Sequence, residues 1–202
     1  SLQQVAHAVY SRSYDVANVV EAPLEATRTY RPDHIRHIPD EKGRINPYAT
    51  FGNGAYVAVV EVDPDTGRVK VLRFAVVHDG GLVVNPLLAE GQSHGAIGFG
   101  IGAALGEELV YGDDGHPLTT SFKDYLMPRA ADIPSIQVGH HPTPSPYTLL
   151  GTKGIGESGV GGSMAAVANA VDDALSPMGV EVLEFPLKPP TVWRAIQSSS
   201  KR

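Results

Sequence analysis

One carboxylate, Glu157, stands inside a run of glycines, Gly151-Thr-Lys-Gly-Ile-Gly-Glu-Ser-Gly-Val-Gly-Gly-Ser163. Six of those thirteen residues are glycine, too many for a packed element, because each forgoes side-chain contact and costs backbone entropy. An Ala-rich helix-forming segment, Met164 to Leu175, follows at once with Val and Leu on one face. A glycine loop feeding a helix N-terminus is a general cradle for anions, since its N–H groups point outward and the helix dipole adds positive potential. A carboxylate in the middle of such a cradle is out of place as a binding group. Lys153, four residues earlier, could answer that charge or meet an anionic ligand.

Three chemistries compete for this loop. A P-loop needs Lys after its last glycine, whereas Lys153 precedes Gly154, so that reading fails. The dinucleotide fingerprint matches literally as Gly154-Ile-Gly156-Glu-Ser-Gly159, with Glu181 and Glu184 downstream. Its leading strand would be Tyr147-Thr-Leu-Leu150 behind Pro146, a poor strand, and too little chain remains for such a domain, one βαβ unit alone taking roughly 30 residues. In the third reading Glu157 is a general base on a loop that also embraces a polyanionic cofactor.

A second polar set, Glu90-Gly-Gln92-Ser-His94, lies in a segment from Leu87 to Leu109 whose apolar residues keep helical spacing. Gly91, Gly95, Gly98, Gly100 and Gly102 interrupt it, at about 1 kcal/mol each relative to Ala. Such a helix is expected only where a backbone or bulky ligand comes close. The Gln92 amide can donate to and accept from a heterocycle edge; His94 is expected as a satisfied, half-buried histidine. His34 and His37 read as solvated loop residues, and the adjacent His140 and His141 point to opposite sides of a strand, a poor metal site.

The elements that must position these groups are legible in part. Leu2 to Tyr10 reads as a helix and Val19 to Tyr30 as a strand interrupted by Pro23. Residues 55–62 and 69–78 form the clearest hairpin, joined by Asp63-Pro-Asp-Thr-Gly67. Phe51-Gly-Asn-Gly54 leads into it. A weaker hairpin is expected over 107–122, strands over 135–141 and 180–185, and a last helix over Thr191 to Gln197. The expected fold class is α+β, hairpins of a mixed sheet packed against Gly-rich helices, with lobes of about 1–140 and 141–202.

Composition removes several function classes. The 202 residues carry a formal charge of −6 with no long run of either sign, which argues against nucleic-acid and membrane-surface partners. There is no cysteine, so this stretch holds no disulfide, iron–sulfur ligand or thiolate zinc site. No apolar run approaches the roughly 20 residues of a membrane span, and no signal peptide is visible, so a cytoplasmic location is expected. The opening at Ser1, without methionine, suggests a piece of a longer polypeptide.

Several motifs in order carry a resemblance. They are Val60-Glu-Val-Asp-Pro-Asp-Thr-Gly67, Asn85-Pro86, Glu90-Gly-Gln92 with Gly95, Gly100-Ile-Gly102, Glu107-Glu108, Asp124-Tyr-Leu-Met-Pro-Arg129, Gly151-Thr-Lys-Gly-Ile-Gly-Glu-Ser-Gly159 and Asn169-Ala-Val-Asp-Asp-Ala-Leu175. Together they resemble the C-terminal part of the molybdopterin-binding large subunit of the xanthine oxidase / aldehyde oxidase / carbon monoxide dehydrogenase family. The resemblance implies a second cofactor-binding domain, as a fragment or separate subunit, of an enzyme that hydroxylates an aldehyde or N-heterocycle, or oxidises CO, at a molybdenum–pterin centre. It implies that Glu157 takes the proton from the attacking oxygen and that Gln92 contacts the pterin. Gly54 and Ala55 would begin the strand that approaches the cofactor, and Lys153, Gly154, Gly156, Ser158 and Gly159 would line it. The cofactor would be in its cytosine dinucleotide form, with no side chain ligating molybdenum. A carboxylate shielded from water binds a proton more readily and can serve as a base near neutral pH.

The resemblance also implies iron–sulfur clusters and FAD in partner domains or subunits, within an oligomeric assembly. Phe99 stands where many relatives carry a polar Gln, a departure at one candidate contact. This chain alone is expected to bind no molybdenum and turn over no substrate. The alternative is a catalytically inactive domain that serves as a cofactor-binding or assembly module and self-associates through bare apolar surface.

Overall fold

The computed structural model describes residues 1–16, 25–30, 32–182 and 184–199. It divides into two compact units, Ser1–Asn46 and Pro47–Arg202. The smaller unit opens with α1 (Leu2–Ser11), where the Ser1 hydroxyl accepts from the Gln4 N–H and the Gln4 side chain reaches back to Ser1, the reciprocal cap of a helix start. A single turn, α2 (Ser13–Val16), follows. The expected strand over 19–30 lies outside the described residues at 19–24, and 25–30 carry no regular structure.

The larger unit is built on a hairpin of β1 (Gly54–Asp63) and β2 (Arg68–His78), in register from Gly54↔His78 to Asp63↔Arg68 with a bulge at Val59/Val60. Gly67 closes the turn at φ +70°, a left-handed conformation that Gly adopts without strain. β3 (Ile136–His140) adds to β2 in parallel, giving the order β1-β2-β3. The mixed sheet expected from sequence is therefore present.

Alternation of side chains sends Phe74 and Val76 to one face of β2, and the bulge, at which Leu72 has no register partner, returns Val71 to that face. There they pack with Ile97, Ile101 and Ala104 of α3 (Pro86–Leu105) and Val167 of α4 (Val160–Leu175). Val171 and Leu175 continue into a second cluster with Val180, Leu187, and Val192 and Ile196 of α5 (Pro189–Ser199). The opposite sheet face leaves Val57, Val59, Leu72 and Val77 exposed.

Three expectations are corrected. The division falls after Asn46 rather than near 140, because β3 and α4, on either side of that position, both pack into the same sheet unit. The weak hairpin over 107–122 reduces to one bridge, Tyr111↔Pro117, with Leu118 N–H bonded to Val110 O at 2.7 Å; Pro117 has no N–H to extend a ladder. Residues 180–182 and 184–185 form no strand, since Val180 and Leu187 are drawn into the second cluster as loop residues.

The glycines of α3 divide in purpose. A Cβ at Gly100 would overlap the Ser163 side chain and lie 3.2 Å from Met164 N, so α3 and α4 touch there, whereas Gly91 and Gly95 meet nothing within 4 Å. Gly95→Ala is expected to stabilise folding by about 1 kcal/mol. Gly100→Ala should destabilise it by about 1–3 kcal/mol through overpacking. Urea denaturation of the two variants beside the parent chain measures both signs.

Candidate functional site

Because β2 runs antiparallel to β1 and parallel to β3, the start of β1 and the ends of β2 and β3 meet at one end of the sheet. The glycine loop is sewn to that end by backbone. Lys153 N–H donates to Gly80 O at 2.9 Å, and Leu82 N–H donates to Gly151 O at 3.1 Å. Phe51-Gly-Asn-Gly54 closes in from the other side: a Cβ at Gly52 would sit 2.9 Å from Asp79 O and 3.4 Å from Gly154 O. Asp79 N–H donates to Asn53 O at 2.8 Å.

Lys153 is committed to protein. Its ammonium lies 2.6 Å from Asp79 Oδ2 and 2.7 Å from Thr143 Oγ1, with 11% of the Lys153 side chain and 6% of the Asp79 side chain exposed. Asp79 Oδ1 accepts the N–H groups of Gly81 and Thr143, each at 2.9 Å, and Thr143 Oγ1 also donates to Oδ2. Burial opposes the Asp79 charge, but the hydrogen bonds from Lys153, Thr143 and Gly81 outweigh it and hold the carboxyl well below the usual carboxylate range. The ammonium thus answers Asp79 rather than Glu157 or an anionic ligand. Sequence gave no sign of this partner, which lies 74 positions away.

Ser158 is likewise turned into the protein. Its Oγ–H donates to Ile155 O at 2.9 Å, its Oγ lies 2.9 Å from His78 Nδ1, and its carbonyl accepts from the Tyr56 hydroxyl. Burial raises the Tyr56 pKa above its ordinary value. Gly159 faces α3, where a Cβ would come within 2.9 Å of Ser93 O. These three loop positions, Lys153, Ser158 and Gly159, hold the loop in place with the side chains or close contacts once expected to line a cofactor.

What remains facing outward is a narrower set. Glu157 is exposed, and its carboxylate has no hydrogen-bond or ion-pair partner among the described residues. Its carbonyl accepts the N–H groups of Val160 and Gly161 at 3.1 and 3.2 Å, tying it to the first turn of α4. A Cβ at Gly156 would sit 3.7 Å from Gln92 Nε2, so α3 and the loop bring those two candidates together, while Gly154 faces open space. Asn85 caps α3 by accepting from Leu88 N–H at 3.1 Å, which aims the first turns, and Gln92, at the loop. A groove of about 220 Å³ runs between Val84, Leu88 and Gln92 of one wall and Thr152, Lys153 and Ile155 of the other. Gly54 and Ala55 are exposed at the start of β1, opposite His78 and Val77. His94, expected half-buried, is exposed, as is Phe99.

Removing one partner of a buried ion pair leaves an uncompensated charge, so Asp79→Asn and Lys153→Met should each lower stability by about 3 kcal/mol. The double variant should recover part of that loss. Because the folded Asp79 carboxyl is more acidic than the unfolded one near 3.8, its stabilisation is complete above that pH and disappears as the pH falls below it. Urea midpoints measured against pH should therefore show a weaker acid loss in Asp79→Asn than in the parent.

Comparison with known proteins places this geometry. The family model of the molybdopterin cofactor-binding domain matches residues 1–134. The chain is 46% identical over 195 residues to the nicotine 6-hydroxylase large subunit of Paenarthrobacter nicotinovorans, covering 96% of this chain and 22% of that protein. It is 34% identical over 178 residues to the carbon monoxide dehydrogenase large chain of Hydrogenophaga pseudoflava, covering 88% and 20%. Quinoline 2-oxidoreductase from Pseudomonas putida 86 superposes with a TM-score of 0.71 at 42% identity, over 72% of this chain and 19% of that one. The chain thus spans about a fifth of the length of these relatives. An α+β sheet unit, a glycine loop bearing an outward carboxylate, and matches across both sequence and fold agree: the chain belongs to the molybdopterin cofactor-binding domain family, of the xanthine oxidase / aldehyde oxidase / carbon monoxide dehydrogenase type.

Proposed function

We propose that this chain forms one wall of the active site of a molybdenum hydroxylase, with Glu157 as the general base. The observation that carries the reading is the approach of Gln92 to Gly156, the residue before Glu157, beside a groove that Gln92 and Ile155 line. The groove and the loop beside it suit a bulky polar cofactor on three counts. Gly154 has open space where a side chain would stand. The Gln92 amide offers both a donor and an acceptor. The N–H groups of Ile155, Gly156 and Glu157 have no partner among the described residues, and such successive donors suit an anionic ligand.

The chemistry supplied by the bound molybdenum–pterin group is a two-electron oxidation together with activation of a water-derived oxygen. Gln92 and the loop amides orient the ring edge and polar tail. Glu157 receives the proton given up as oxygen adds to the substrate carbon. In the balanced reaction water adds its oxygen to the substrate, and two protons and two electrons leave. With no cysteine in these 202 residues, iron–sulfur ligands for the electrons come from other domains or subunits. Nicotine and quinoline in the names of two relatives favour an N-heterocyclic substrate over an aldehyde or CO. No helix among the described residues is long and apolar enough to cross a membrane.

In the complete assembly, Glu157→Gln should reduce turnover by several orders of magnitude while molybdenum content stays unchanged. Steady-state assays with an artificial electron acceptor, comparing a pyridine or quinoline with an aldehyde and CO, test both the base and the substrate class. Mass spectrometry of the released cofactor tests for the cytosine dinucleotide form. The isolated chain, lacking the opposing wall, should purify without stoichiometric molybdenum by elemental analysis.

A further inference from the structure

His78 is the last residue of β2, fully buried at 1% exposure, and no step of the proposed chemistry uses it. Its ring is bonded on both sides. Nδ1 lies 2.9 Å from Ser158 Oγ, Nε2 lies 3.4 Å from Ser93 Oγ, and the His140 ring stacks on it at 4.6 Å. The Ser158 hydroxyl already gives its proton to Ile155 O, so its Oγ can only accept, and Nδ1 must be the donor. The Ser93 hydroxyl gives its one proton to Ala89 O at 3.0 Å, so its Oγ, 3.4 Å from Nε2, does not fix the state of that nitrogen. The bond to Ser158 requires only a proton on Nδ1, which the neutral imidazole supplies in its Nδ1–H tautomer. Burial, with His140 beside it, pushes the His78 pKa below its ordinary value and so favours this form.

The next residue, Asp79, holds Lys153. Two consecutive residues at the end of one strand therefore grip the loop at Lys153 and at Ser158. Between those anchors lie Gly154, Ile155, Gly156 and Glu157, two of them glycines with high backbone freedom. Tyr56 adds a third grip on the Ser158 carbonyl. Without such anchors a segment of this composition would sample many conformations, and Glu157 would spread over them.

We infer that His78 is a positioning residue for Glu157: with Asp79 it clamps the loop on both sides of the base, through Ser158 and Lys153. The inference rests on Glu157 being the base. His78 touches neither substrate nor cofactor; it sets where the carboxylate stands by donating one hydrogen bond to the residue beside it.

The test uses the complete cofactor-loaded assembly and four variants. His78→Leu keeps bulk and removes the bond. His78→Asn keeps an amide donor near the Nδ1 position. Ser158→Ala removes the acceptor, and His78→Leu with Ser158→Ala removes both. His78→Leu should lower kcat about ten- to a hundredfold, the scale of a small misplacement of a catalytic group, with KM and molybdenum content little changed. Hydrogen exchange of the amides over 154–160 should accelerate in that variant. His78→Asn should regain most of the rate, and the double variant should be no slower than His78→Leu, because both changes break the same bond. Parental kcat in His78→Leu, unaltered exchange over the loop, or a His78→Asn variant as slow as His78→Leu would each overturn the inference. If His78→Leu does not assemble, the contrast of Ser158→Ala with His78→Asn decides it by the same readouts. Should Glu157→Gln retain turnover, the base assignment falls by itself, and the exchange rates still report whether His78 holds the loop.

Discussion

The ion pair between Lys153 and Asp79 is the constraint on which this end of the molecule depends. A buried carboxylate and a buried ammonium are each costly to desolvate, and the cost is offset only when geometry and additional hydrogen bonds are both good. Asp79 meets that condition with donors from Lys153, Thr143 and Gly81. One side chain thereby links the end of β2, the segment after β3 and the glycine loop, three stretches far apart in the chain. The loop can be rich in glycine and still be ordered because its order comes from outside its own sequence.

The glycines then resolve into two kinds. Gly159 and Gly162 lie against the protein itself, at α3 and at the Tyr56 ring, while Gly154 lies against open space. The first kind lets a helix and a strand come close enough to seat the loop. The second leaves room in front of it. A single pattern of repeated glycine thus serves packing on one side and leaves open space on the other, and which residue does which depends on neighbours supplied by other elements.

That distinction marks how much could be read beforehand. The hairpin was legible because Asp63-Pro-Asp-Thr-Gly67 specifies its own turn and the flanking Val-rich runs have strand composition. Helices α3 and α4 were legible from period and composition. Of the candidate site, Gln92 and Gly156 were named and come close to each other, and Glu157 follows Gly156 in the loop. The roles of Lys153 and Ser158 were not legible, because Asp79, Thr143 and His78 reach them across 10 to 80 positions and no local spacing encodes such a meeting. The strand expected over 180–185 failed for a related reason: β-branched residues pack equally well as loop residues when a helix such as α5 offers them an apolar surface.

The carbonyl of Glu157 accepts the first free N–H groups of α4, so the backbone bearing the carboxylate is continuous with the rigid part of that helix. Any tilt of α4 is transmitted to the carboxylate as a lever would transmit it, with the fulcrum at Val167 and Val171, both fully buried. The reach of the carboxylate is in that sense a mechanical tolerance, machined by apolar side chains buried behind it.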